Sequence, residues 1–106
     1  MIQELFEFRE GENSFKLGNF EDAISCFESI LIKKEYSPYF YLIYFKIGCC
    51  KYLIGHSLKN RLQMEGGRQY LIKAEALAEI NFQFTHKESI SNYIKDVENE
   101  LEKLPK

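Results

Sequence analysis

The sequence predicts an all-α protein of about five helices, stacked as antiparallel hairpins, and three observations lead there. Apolar residues recur with helical period, the stretch 15–30 folds back at a glycine-asparagine break, and the first part of the chain partly repeats further on. Residues 15–30, FKLGNFEDAISCFESI, organise the rest. Ala23, Ile24, Phe27, Ile30 and Leu31 form one apolar stripe resuming at Phe20. The small Ala23 between larger neighbours lets a partner helix approach closely, as a hairpin requires.

Taken in order, residues 2–17 carry Ile2, Leu5, Phe6, Phe8, Phe15 and Leu17 among Glu, Arg and Lys, with Gly11 in mid-helix. An interior glycine costs about 1 kcal/mol relative to alanine, so a close helix contact is expected there. Gly18 ends this helix and Asn19 can cap the next, which runs to about Lys34, with Lys33 and Lys34 at its negative end. Ser37-Pro38 marks a new start. Residues 39–54 are strongly apolar, but Gly48 in mid-run and the lack of alternation favour a buried helix over a strand. Gly55 closes or kinks it.

Shifting the chain by 37 places Phe8 on Phe45, Gly11 on Gly48, Phe15 on Tyr52, Leu17 on Ile54 and Gly18 on Gly55. The same shift sends Ala23, Phe27 and Ile30 to Asn60, Met64 and Gly67, which do not continue the pattern. Tyr70, Leu71, Ala74, Leu77 and Ala78 restore the stripe later, so an insertion is expected over residues 56–69. It is read as an extension of the preceding helix that Gly66-Gly67 ends, with a fourth helix over residues 68–84. Thr85-His86-Lys87-Glu88 fits a capping box and predicts a fifth helix just after Thr85. Ile90, Tyr93, Ile94, Val97, Leu101 and Leu104 face inward there, opposite Lys95, Asp96, Glu98, Glu100 and Lys103, before Pro105.

At 106 residues, 45% hydrophobic and 28% charged, the chain is expected to be one soluble domain that buries about two thirds of its unfolded surface. Net charge is −2 and no run of Lys or Arg exceeds two, which argues against nucleic acid or an acidic membrane as partner. The start lacks a signal-peptide pattern and no apolar run approaches membrane-spanning length, so a cytoplasmic location is expected and no membrane insertion. Three cysteines, two of them adjacent, fit a reducing compartment better than a disulfide framework. His56 and His86 are isolated, so neither a metal nor a cofactor is expected. The acidic pairs Glu10/Glu12 and Glu21/Asp22 and the run Glu98/Glu100/Glu102 lack apolar surroundings, and no nucleophile motif or phosphate loop occurs, so an enzyme is not expected.

Gly11, Gly18-Asn19-Phe20, Ala23, Phe27 and Ile30 resemble the tetratricopeptide repeat, a helical hairpin of about 34 residues. The resemblance implies one domain over 1–106: repeat one about 2–35, repeat two about 38–84 with its insertion, and a capping helix about 86–104. In that family the first helix of each hairpin lines a concave groove. Carried over, those positions are Leu5, Phe8, Arg9, Glu12, Phe15 and Lys16, then Leu42, Phe45, Lys46, Cys49, Tyr52 and Leu53. The family's variant that grips the C-terminal carboxylate of heat-shock chaperones uses Lys and Asn at positions matching Phe8, Glu12 and Lys46. Phe8 cannot pair with a carboxylate and Glu12 repels one.

The resemblance therefore implies an adaptor or small chaperone that takes an apolar or amphipathic segment of a partner protein. The alternative is a structural subunit whose apolar faces assemble with another subunit or with a second copy as a homodimer. Aromatics at helical spacing are commonly inter-helix core, and Phe8, Phe45 and Tyr52 are open to that reading.

Overall fold

The computed structural model describes residues 2–33 and 40–105, with side chains for 6–32 and 40–105. It contains α1 (Ile2–Lys16), α2 (Phe20–Lys33), α3 (Phe40–Leu58), α4 (Arg61–Ile80) and α5 (Phe84–Glu102). The all-α expectation holds, with each helix packed on its neighbour in sequence. Side chains of α1, α3 and α5 meet in one layer: Glu12 pairs with Lys46 across α1 and α3, and Phe45 meets Tyr93 across α3 and α5. The expected start at Ser37-Pro38 and the Lys33-Lys34 charges lie outside the described residues or side chains. No helix among the described residues is long and apolar enough to cross a membrane.

α3 is apolar almost all round because it serves two cores. Ile43, Ile47 and Cys50 join Ala23, Phe27 and Ile30 on one side. Tyr41 and Cys49 join Met64, Leu71, Ala74, Ala78 and the inward stripe of α5 on the other. The adjacent cysteines are thus divided between cores, as about 100° of rotation per residue requires.

The three described turns close by one device. Gly18 N–H donates to the Phe15 carbonyl at 3.0 Å and Asn19 N–H to Ser14 at 2.8 Å, and the same pair of bonds recurs at Lys59-Asn60 and at Phe82-Gln83. This is the Schellman closure, whose central residue is left-handed. Its φ is 82° at Gly18, 53° at Lys59 and 60° at Phe82, so two of the three use a side-chain-bearing residue where glycine is the easy choice.

The expected boundary at Gly66-Gly67 is corrected. α4 begins at Arg61, capped by Asn60, whose side chain accepts from the Gln63 N–H at 3.1 Å, and both glycines lie inside the helix. Gly67 is needed there for close approach, because an added Cβ would lie 2.7 Å from the Tyr52 nitrogen and 2.8 Å from the Gly48 carbonyl oxygen. Gly67 therefore occupies the place in the second hairpin that Ala23 holds in the first. Gly11 abuts Phe27 just as Gly48 abuts Leu71, so the second helices correspond at an offset of 44 rather than 37. The difference is two helical turns, one added to each arm of the hairpin, which lengthens it without rotating either buried face.

The start of α5 is also corrected. Gln83 flanks the helix without a side-chain cap bond, and Thr85 lies in the first turn, where its carbonyl accepts from Ser89 Oγ at 3.3 Å. The Schellman closure at Phe82 leads straight into Phe84 and leaves Thr85 no capping position.

Candidate partner-binding face

The groove positions expected from sequence divide into three environments. Phe8 turns toward the first core, stacking edge-on with buried Phe27 at 5.5 Å, and is inter-helix packing. Phe15 contacts Phe20 edge-on at 5.4 Å, and the Lys46 ammonium lies 5.5 Å from its ring centre. Lys46 is itself held by Glu12 at 3.4 Å, so the cation and the carboxylate of this seam satisfy each other. Arg9 and Lys16 are exposed, whereas the Leu5 side chain is not among those described.

Phe45, Cys49 and Tyr52 come together around a residue that groove spacing did not indicate, Tyr93 of α5. Its ring meets Phe45 at 5.8 Å and Tyr52 at 5.9 Å, both edge-on, and it packs against the same core cluster as Cys49. Burial pushes the Cys49 thiol up to about 12 and raises Tyr93 as well, so neither ionises near neutral pH. Burial likewise pushes Cys50 up to about 11. Both thiols are buried, Cys49 in the second core and Cys50 in the first. Phe45, Tyr52 and Tyr93 keep part of their rings at the surface, with Leu42 and Leu53 half-buried alongside.

Both histidines tie α3 to α5, one at each end. Tyr41 hydroxyl and His86 Nδ1 are 2.7 Å apart, and His56 Nε2 lies 3.1 Å from Glu100 Oε1 while its ring stacks on Tyr52 at 5.5 Å. The Lys103 ammonium first and His56 second hold Glu100 below the usual carboxylate range. Glu100 thus borders the aromatic cluster and does not simply face solvent. No group of three or more His, Cys, Asp or Glu able to hold a metal occurs among the described residues. Sequence spacing carried no signal for the roles of Tyr93, His86 and Glu100, because they arise from packing α5 alongside α3.

Two open grooves lie on α4. One of about 390 Å³ is lined by Glu21, Ile24, Lys51, Ile54, Leu62, Gln63 and Gly66. The other, about 630 Å³, is lined by Tyr44, Gln69, Tyr70, Ile72, Lys73 and Ala76. Between them Lys51 lies over the Tyr70 ring and Lys73 over the Tyr44 ring, at 5.4 and 5.0 Å, with the two rings 5.9 Å apart. Comparison with protein-family models, curated proteins and solved structures finds no match.

Proposed function

We propose that the chain is a non-catalytic protein-interaction module of tetratricopeptide type, an adaptor or small chaperone acting in the cytoplasm. It takes an apolar or amphipathic protein segment along the α1/α3/α5 layer. The observation that carries this reading is the half-buried row Phe45, Tyr52 and Tyr93, with the Asp96 and Glu100 carboxylates acting on Tyr52 from α5. Amphipathic aromatics with one edge in water are the usual anchors of such contacts. The family reading is supported by the matched pairs Gly11 with Phe27 and Gly48 with Leu71, which make both hairpins variants of one unit.

A carboxylate-gripping chaperone role is disfavoured, since Lys46, the one cation at the matching positions, is already paired with Glu12. The test is selection of binding peptides from a displayed random library, followed by amide-exchange footprinting. Protection expected on α1, α3 and α5 supports the reading, and protection confined to α2 and α4 contradicts it.

A further inference from the structure

The outward face of α4 is built unlike a solvated face. Its outermost positions, stepping by four and three along the helix, are Leu62, Gly66, Gln69, Lys73, Ala76 and Ile80. Leu62 is 82% exposed and Ile80 69%, although the buried side of the helix is already complete through Met64, Gly67, Leu71, Ala74 and Ala78. The outward face of α5, by contrast, is made of Glu88, Asn92, Lys95, Asn99 and Lys103. Gly66 sharpens the contrast: a Cβ there would meet nothing within 4 Å, so no neighbour in the chain requires glycine at a position where it weakens the helix.

The order of these residues reads as its own complement when reversed. The six positions are symmetric about residue 71, so an antiparallel copy sets Leu62 against Ile80, Gly66 against Ala76 and Gln69 against Lys73. We propose that two copies of the chain pair through the outward faces of α4, antiparallel, about a two-fold axis that crosses this face at the level of residue 71, between Gln69 and Lys73. The four-and-three spacing is that of helices meeting at a shallow angle of about 20°. Apolar pairs close both ends, the small pairs let the backbones approach, and each Lys73 ammonium donates to the Gln69 carbonyl oxygen of the second copy. The two grooves flank this line, and the one floored by Ile24, Ile54 and Gly66 lies where Ile80 of the second copy arrives. A second copy is the occupant because every side chain on the stripe finds its match in the same stripe reversed, as an isologous interface demands and an unrelated partner does not. The proposal is independent of binding at the α1/α3/α5 layer.

Sedimentation equilibrium of the full chain over a wide concentration range is expected to give a species of twice the 12.6 kDa chain mass. Leu62→Lys with Ile80→Lys in one chain sets like charges against each other and is expected to give a monomer with an unchanged circular dichroism spectrum, both sites being exposed. Leu62→Glu with Ile80→Lys sets opposite charges against each other in the antiparallel register only, and is expected to restore the dimer. A wild-type chain that stays monomeric at millimolar concentration overturns the proposal. So does a dimer that survives the double lysine change, or a Glu/Lys variant that stays monomeric.

Discussion

Gly48 and Gly67 face each other across the α3–α4 crossing, so close that a Cβ on Gly67 would lie 2.8 Å from the Gly48 carbonyl oxygen. The obstacle is backbone, which no rotamer change can move aside. Gly67→Ala is therefore expected to lose about 1–3 kcal/mol by overpacking. Its neighbour Gly66 has open space, and Gly66→Ala should gain up to about 1 kcal/mol of helix propensity in dilute solution. Thermal melts of the two single variants check this, and shifts of the same sign would contradict the crossing described.

The left-handed turn residues give a second contrast. Strain of about 1–2 kcal/mol at Lys59 and Phe82 is relieved by glycine, and the extra freedom of glycine in the unfolded chain offsets part of that gain. Lys59→Gly and Phe82→Gly are each expected to stabilise by roughly 0.5–1 kcal/mol, since Lys59 is exposed and Phe82 is 78% exposed. Urea midpoints should rise, and a fall at position 82 would show that the exposed ring contributes to the fold.

The buried thiols set an alkaline limit. A cysteine ionises near 9.0 when unfolded, whereas burial holds Cys49 protonated to about 12 and Cys50 to about 11. Both folded values are raised, so this contribution is fully present below pH 9 and is lost as pH rises toward 11–12. Unfolding free energy should fall above pH 9 by up to about 1.4 kcal/mol per pH unit for each thiol ionised only in the unfolded chain. Cys49→Ala should make the decline shallower. An unaltered slope in that variant would show that the thiol is not buried as described.

Two packing changes probe the ends of the stack. Ala23 is fully buried, and Ala23→Leu should cost roughly 1–3 kcal/mol. Removing residues 85–104 strips cover from Tyr41, Cys49, Leu71, Ala74 and Ala78, and is expected to abolish cooperative unfolding or cause aggregation. A truncated chain that stays monomeric and melts cooperatively would mean that α5 is a detachable element and not a cap.

Five helices, the turn at Gly18 and the close packing at Ala23 were legible in the sequence because helical periodicity and glycine punctuation coincided there. They diverged in the second hairpin. Its turn is made by Lys59 without glycine, while Gly66-Gly67, which look like punctuation, lie within α4. An insertion of two whole turns conserves facing, so the displaced Met64 and Gly67 remain buried although their spacing from α3 changes. Thr85 matched a capping pattern that the preceding turn had made unnecessary. At the candidate site, the groove spacing set Phe8, Phe45, Cys49 and Tyr52 along one concavity, whereas Phe8 turns to the first core and the other three gather around Tyr93. Tyr93 was unforeseen because only the tertiary fold brings α5 beside α3.

The most direct test of the interaction reading is the affinity of a library-selected peptide for wild-type chain and for Phe45→Ala, Tyr52→Ala and Tyr93→Ala. Folding of each variant is checked by circular dichroism, and Asn99→Ala on the outer face of α5 serves as control. The account predicts a loss of about 2 kcal/mol for each aromatic truncation, little dependence on salt and no change for the control. Folded aromatic variants that bind like wild type would contradict it.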